Sequence, residues 1–154
     1  MRKKAAKHTT LPDPKFGDVQ VTKFVNNLMY DGKKSKSFDI FYNAIDMVAE
    51  KTGEDGMETF KKALANVTPQ VEVRSRRVGG ANFQIPQPVR ESRKDSVARK
   101  WLMRYSRKRN ERSMEQKLAN EIMAAAKEEG AAFKKKEEVH KMAEANKAFS
   151  HFRF

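Results

Sequence analysis

The chain has 154 residues, and its 33 Lys and Arg side chains outnumber 20 Asp and Glu, which gives a formal net charge of +13. This length favours one domain, and so large a positive charge favours a polyanionic partner, nucleic acid before an anionic membrane. Cysteine is absent, which excludes disulfides and thiolate metal sites. The basic first fifteen residues lack the apolar segment of a secretory signal, and no apolar run has the length of a membrane span. A transit peptide is the minor alternative for this segment.

The positive charge is unevenly distributed. Residues 71–112 carry 13 basic and 4 acidic side chains, whereas residues 1–70 carry a net charge of +3 and residues 113–154 a net charge of +1. Arginine matches phosphate with a planar fork and can stack on bases, while lysine is a hydrated point charge. This partition favours a phosphate-binding segment over its alternative, a solvated charge run. Ten of the twelve arginines lie in this segment: Arg74, Arg76, Arg77, Arg90, Arg93, Arg99, Arg104, Arg107, Arg109 and Arg112.

Apolar residues with helical spacing predict three helices in the first half of the chain. The first carries Val21, Phe24, Val25, Leu28 and Met29 on one face. Asp18 is its expected N-cap, and the Asp31-Gly32 turn ends it. The second helix is predicted over about 37–51, and the third ends before Pro69. We expect residues 1–15 to form a flexible basic tail and residues 16–154 to form one domain.

The stretch VEVRSRRVGGANFQIPQPVR, residues 71–90, predicts a β-hairpin. Val71, Val73 and Val78 suit a strand, and Gly79-Gly80 suits a two-residue turn with positive φ. Pro86 and Pro88 confine the return arm to a sheet edge. Because a two-stranded hairpin is marginal alone, we expect it to be mobile in the free protein and to gain stability from the partner on which it docks.

Three more helices are predicted after the hairpin: a fourth over about 95–109, a fifth opened by a Ser113/Gln116 capping box and ended by Gly130, and a sixth over about 136–147. On the fourth helix, one sector is apolar and the opposite sector is basic. The apolar sector holds Val97, Ala98, Trp101, Leu102 and Tyr105, and the basic sector holds Arg99, Lys100, Arg104 and Arg107. The predicted fold is mainly α, a six-helix single domain with a two-stranded β-hairpin protruding between the third and fourth helices.

The sequence offers little for catalysis. His8, His140 and His151 lack the spacing of a metal site or a triad, and the chain has no Walker or dinucleotide motif. A packing or surface role suits His140 better than a base. Core packing suits Trp101 and Tyr105 better than base stacking. We expect neither a metal nor another cofactor.

Irregular folded RNA suits the dispersed basic elements of this chain. Two alternatives stay open at this point. One is an architectural DNA-binding protein that inserts a basic β-ribbon into a groove, although the glycine tip offers no intercalating side chain. The other is a nuclease or an RNA-modifying enzyme.

Four blocks of the sequence carry a resemblance to a known family. They are DVQVTKFVNNLMYDGKKSKSFDIFYNA (18–44), PQVEVRSRRVGG (69–80), KRNERSMEQKLANEI (108–122) and VHKMAEANKAFSHFRF (139–154). The chain thereby resembles the bacterial small-subunit ribosomal protein seven family over nearly its whole length. It departs from the family pattern at residues 87–97, where Glu91 and Asp95 intervene, and this puts the contacts of that linker in doubt.

The resemblance implies a structural role in the cytoplasmic ribosome and in translation, without enzymatic activity or membrane association. It implies direct binding to rRNA in the head of the small subunit and an early role in nucleating head assembly. The hairpin would lie near the exit-site tRNA and the mRNA path at the subunit interface. Small-subunit ribosomal proteins nine and eleven are the implied protein partners, and residues 139–154 would lie near the mRNA exit.

Carried over by position, the resemblance also implies site residues. The rRNA-binding residues would be Arg2, Lys3, Lys4, Lys7, Lys33, Lys34, Arg74, Arg76, Arg77, Arg93, Arg99, Arg104 and Arg107. The hairpin tip facing tRNA and mRNA would be Val78, Gly79, Gly80 and Ala81.

Overall fold

Six α-helices and one antiparallel hairpin make up the computed structural model, which describes residue 5 and residues 8–152. The elements are α1 (Val19–Leu28), α2 (Lys34–Thr52), α3 (Gly56–Val67), β1 (Val71–Val78), β2 (Ala81–Pro88), α4 (Glu91–Arg107), α5 (Met114–Ala126), α6 (Gly130–Ala145) and a short 3₁₀ helix (Lys147–Phe152). The predicted fold class is confirmed, with the hairpin between α3 and α4. In the described part of the chain, none of the helices has the length and apolar character that crossing a bilayer requires.

An aromatic cluster joins the first three helices. Phe24, Phe41 and Phe60 are each wholly buried, and their ring centroids lie 5.1–5.6 Å apart. Helix α5 packs against α2, α3 and α4 and contributes the buried Leu118 and Ile122. The apolar stripes of the sequence thus meet around α5, because burying such stripes is the main source of helix stability in a small domain.

Side-chain caps fix three of the helix starts. The carboxylate of Asp18 accepts a hydrogen bond from the backbone N–H of Gln20 at 2.8 Å, which confirms the predicted N-cap of α1. Asp55 caps α3 in the same way, and Ser113 accepts from the N–H of Gln116 at 3.3 Å at the start of α5.

Several predicted helix boundaries were wrong. Helix α2 begins at residue 34 instead of 37, and α4 spans 91–107 instead of 95–109. The early start of α4 follows the extended residue Arg90 and places the acidic Glu91 in the first turn. There its negative charge interacts favourably with the helix dipole.

Helix α6 begins at Gly130, six residues before the predicted start, and Gly130 therefore opens α6 after a short turn and does not directly end α5. The buried carboxylate of Glu121 in α5 accepts a hydrogen bond from the backbone N–H of Ala132 at 2.9 Å. A side chain eleven residues away thus satisfies the first turn of α6, and the local sequence of α6 does not reveal it.

The segment before α1 is held by one carboxylate. Asp13 is 3% exposed and accepts hydrogen bonds from the backbone N–H groups of Lys15, Phe16 and Asp18. The hydroxyl of Tyr42 in α2 also donates to it, at 3.0 Å. These bonds outweigh burial, which alone raises the pKa of Asp13, and lower that pKa below its ordinary value. The boundary between a tail at 1–15 and a domain at 16–154 stays a prediction.

The hairpin has the predicted turn. Val78 pairs with Ala81 across Gly79 and Gly80, whose φ angles are +57° and +88°. Both angles lie in the left-handed region that glycine adopts without steric cost, which suits a two-residue hairpin loop.

From its middle towards its turn, the hairpin packs against other parts of the chain. Ile85 is 1% exposed, and the ring of Phe83 lies 5.1 Å from that of Phe149 and 5.5 Å from that of Phe152. Arg76 also donates from Nη1 to the Phe152 carbonyl at 2.6 Å. Helix α6 and the 3₁₀ helix thus supply part of the support that was expected from an external partner, and the expected mobility of the free hairpin stays a prediction.

Candidate nucleic-acid interface

A cleft of about 480 Å³ lies where the base of the hairpin meets α4 and α6. Its walls are formed chiefly by α4, with contributions from the hairpin and α6. From α4 come Arg93, Val97, Lys100, Trp101, Met103 and Arg104; from the hairpin and its flanks come Pro69, Glu72, Val73 and Val89; from α6 come Val139 and Met142; and from α1 comes Asn27. The cleft therefore lies between two consecutive arginine-bearing elements, the hairpin and α4, and is completed by α6, which is distant in the sequence.

Glu72 holds two of the predicted RNA-binding arginines. Its carboxylate is paired with Nη2 of Arg74 at 2.6 Å and with Nε of Arg93 at 3.1 Å. Burial raises the pKa of Glu72, but the hydrogen bonds from Arg74 and Arg93 outweigh it and lower this pKa below its ordinary value. One ionised carboxylate thus orients two guanidinium groups, which together keep an excess positive charge.

The stacking of Arg107 on Tyr30 brings α4 to the turn between α1 and α2. The guanidinium carbon of Arg107 lies 4.1 Å from the centroid of the Tyr30 ring, and Nη2 donates to the Leu28 carbonyl at 3.0 Å. Lys33 and Lys34 follow on this turn and are exposed, with Nζ of Lys34 5.8 Å from the Phe38 ring. The lysine turn and the basic side of α4 therefore lie next to each other.

Arg99 is largely buried, unlike the neighbouring basic residues of α4. It is only 7% exposed, and its guanidinium donates to the side-chain oxygen of Gln20 in α1. Burial lowers its pKa, and the nearby Asp95 partly offsets this. Helix α1 packs over this position of α4 and covers Arg99, whereas the helical wheel placed it on an open basic face; its assignment as an RNA-binding residue stays a prediction.

The remaining predicted positions differ in their surroundings. Arg77 and Arg104 are exposed and make no ion pair within the part of the chain that the structure describes. Gly79, Gly80 and Ala81 at the hairpin tip are exposed, and Val78 is half-buried. Four predicted positions, Arg2, Lys3, Lys4 and Lys7, lie outside the described residues.

Trp101 and Tyr105 pack against the core, as their spacing predicted, but Trp101 also lines the cleft. Sequence reasoning missed Glu72, Val139 and Met142 as cleft residues. The alternation of β1 could have indicated Glu72, but the position of α6 depends on long-range packing.

His140 has a structural role. Its Nε2 accepts a hydrogen bond from the backbone N–H of Gln70 at 3.1 Å. Burial, and secondarily the charge of Lys136, lowers the pKa of His140 and favours the neutral ring that this bond requires. Across residue 5 and residues 8–152, no group of three His, Asp or Glu side chains is placed to hold a metal ion.

Comparison with known proteins agrees with this architecture. The family model described as ribosomal protein S7p/S5e matches residues 1–147. The chain is 63% identical to a small ribosomal subunit protein uS7 of Cytophaga hutchinsonii and 63% identical to one of Flavobacterium johnsoniae, in both cases over 100% of each chain. It is 58% identical to the protein of that name from Marinobacter nauticus, over 99% of this chain and 98% of the relative.

Proposed function

The chain belongs to the ribosomal protein S7p/S5e family, and from that premise we propose that it binds small-subunit rRNA directly through one continuous basic surface. As a member of this family it is a structural constituent of the small subunit of the cytoplasmic ribosome, takes part in translation and is not an enzyme. We define the basic surface by the following residues: Lys33, Lys34, Arg74, Arg77, Arg93, Lys100, Arg104 and Arg107.

The observation that carries this proposal is the contact between Arg107 and Tyr30, which joins the lysine turn to α4. At the other end of α4, Arg93 is joined to the hairpin through Glu72. Cations on three elements are thereby fixed relative to one another. A folded RNA whose phosphates lie at several depths is the partner that such an arrangement suits.

We further propose that the protein acts early in assembly of the head, and that the hairpin tip faces the exit-site tRNA and the mRNA path. Gly79 and Gly80 support the second point. Among the described residues, and apart from each glycine's chain neighbours, no heavy atom lies within 4 Å of where a Cβ would stand at either position, so a nucleic-acid backbone could approach closely. Small-subunit ribosomal proteins nine and eleven are proposed as neighbours, with the C-terminal segment near the mRNA exit.

Filter binding tests the rRNA proposal. The full chain is titrated with a transcribed head-domain fragment of small-subunit rRNA, with an unrelated folded RNA of equal length and with duplex DNA. We expect the rRNA fragment to bind most tightly, with a salt dependence that steepens by about 0.7–0.9 logarithmic units for each neutralised phosphate. Equal affinity for the rRNA fragment and the unrelated RNA at moderate salt would refute it, and preference for duplex DNA would favour the architectural alternative.

A further inference from the structure

We propose that the cleft between the hairpin, α4 and α6 receives one unstacked nucleobase of the rRNA, which stacks on Trp101 and donates a hydrogen bond to Glu72. This inference rests on the proposed rRNA binding and adds to it a single-nucleotide subsite with a defined chemistry.

The wall of the cleft is apolar where a base would lie. Trp101 and Val97 are half-buried on α4, Val139 is 8% exposed, and Met142 is 39% exposed at the mouth. The volume of about 480 Å³ lies within the range of small-molecule sites. Proteins read single-stranded RNA by accepting splayed bases against aromatic side chains, and this wall offers one such side chain beside aliphatic groups.

The mouth of the cleft is positively charged. Lys100 and Arg104 line it from α4, are both exposed and make no ion pair with the described residues. A base inside the cleft would bring its flanking phosphates to this mouth. The pairing of an apolar wall with a cationic rim therefore matches a nucleotide better than it matches an apolar peptide.

Glu72 gives the subsite a preference. Both carboxylate oxygens are already oriented by Arg74 and Arg93, but an ionised carboxylate has about four lone-pair sites, so acceptor capacity remains. Carboxylates accept hydrogen bonds from exocyclic amino groups of bases, as in the pairing of Glu with cytosine N4. We therefore expect guanine, cytosine or adenine in the cleft in preference to uracil, which has no amino group.

Trp101 is the only tryptophan of the chain, so tryptophan fluorescence reports on this one position in the wall of the cleft. The full chain is titrated with the head-domain rRNA fragment while Trp101 emission and its access to acrylamide are recorded, and ultraviolet crosslinking maps the contacted nucleotide. We expect static quenching and reduced acrylamide access. Replacing the mapped nucleotide by uridine should restore much of the emission.

Two kinds of variant separate stacking from folding. Trp101→Leu should weaken rRNA binding about 5- to 150-fold, the range of one base–aromatic stack, while Trp101→Phe should retain most of the affinity. Met142→Glu adds a negative charge at the mouth on a side chain that is already exposed, and it should weaken binding without changing the melting temperature. Ala131→Glu, an exposed position on α6 outside the cleft, is the matched control and should bind like the wild type.

The outcomes distinguish this subsite from the proposed function as a whole. If the complex forms with Trp101 emission and acrylamide access unchanged, the subsite is refuted and rRNA binding stands. If no specific complex forms, both fail. If Trp101 is quenched only when other small-subunit proteins are added, the occupant is a protein and the nucleobase proposal is overturned.

Discussion

The ring of Phe83 on strand β2 lies 5.1 Å from the ring of Phe149 in the C-terminal 3₁₀ helix. Phe152 contacts the same ring from the next turn, at 5.5 Å. A hairpin that carries part of the basic surface is thus supported by a segment far away in the sequence. Its orientation relative to α4 depends on this aromatic contact as well as on Glu72.

Phe149→Ala should loosen the hairpin more than it destabilises the domain. An aromatic pair contributes about 0.5–1.5 kcal/mol to stability in addition to the contribution of its buried area. The large aromatic core of α1, α2 and α3 does not include Phe149. Amide hydrogen exchange measured by mass spectrometry should accelerate over residues 81–88 and stay unchanged in α5. Phe149→Tyr is the control, and unaltered exchange in the hairpin with Ala at 149 would contradict this role.

Glu121→Gln should lower the free energy of unfolding by about 1.5–3 kcal/mol, the worth of hydrogen bonds to a charged group. The carboxylate is wholly buried, accepts from Ala132 and pairs with Nη1 of Arg109 at 2.8 Å. Urea denaturation measures the change. Glu138→Gln removes an exposed carboxylate that pairs with Lys135, and it should change stability by less than about 0.5 kcal/mol.

The double variant Arg77→Ala/Arg104→Ala should weaken rRNA binding and leave the fold intact, because both side chains are exposed and make no ion pair with the described residues. The slope of log affinity against log salt should fall by about 0.7–0.9 for each lost phosphate contact. Filter binding across a salt series measures both effects.

The matched control for this double variant is Lys62→Ala/Lys127→Ala, which removes two exposed lysines outside the basic surface. An equal loss of affinity in the two double variants would show that net charge, and not position, determines binding. Arg76 is unsuitable for this comparison because it donates to the Phe152 carbonyl and its removal would alter the hairpin.

Glu111 should make a pH-dependent contribution to stability. The hydrogen bond from the Asn120 side chain, together with the hydrogen bond from Arg109, lowers the pKa of Glu111 to about 2 from its ordinary 4.5. Because the folded-state pKa lies below the unfolded value, this stabilisation is present above pH 4.5 and is lost as the pH falls towards 2. The difference in urea midpoint between the wild type and Glu111→Gln should therefore shrink between pH 6 and pH 2.5.

A control for this pH series is Glu128→Gln, which alters an exposed carboxylate on the turn before α6. The difference in urea midpoint between Glu128→Gln and the wild type should stay near zero over the whole pH range. A difference at Glu111 that stays constant with pH would contradict the assigned origin of the stabilisation.

The helices could be predicted from the sequence because their apolar residues recur at helical spacing and their starts carry local caps such as Asp18. The hairpin turn could be predicted equally well, because the Gly79-Gly80 pair indicates it without information about distant residues. The cleft could not be predicted from the sequence, because it forms only where α6 packs beside α4. The start of α6 depends in turn on Glu121, a buried side chain in another helix.

Arg99 shows why a helical wheel alone can misjudge the exposure of a side chain. Its angular position on α4 falls on the basic side, yet Gln20 covers it from α1, which is 79 residues away in the sequence. A side chain opposite the apolar sector of its helix is not exposed to solvent when a second helix packs over it. Arg77 and Arg104, which no described element covers, kept the exposure that the sequence indicated.

The aromatic support of Phe83 also sets an order of events during synthesis. Residues 149 and 152 leave the peptide exit tunnel of the translating ribosome long after β1 and β2 have emerged. A nascent chain without residues 149 and 152 can form the turn and the two paired strands, but the Phe83 ring lacks the two aromatic rings on which it packs. The hairpin therefore reaches its final geometry only after residue 152 has emerged, and chains that stop before residue 149 would carry an incompletely positioned hairpin.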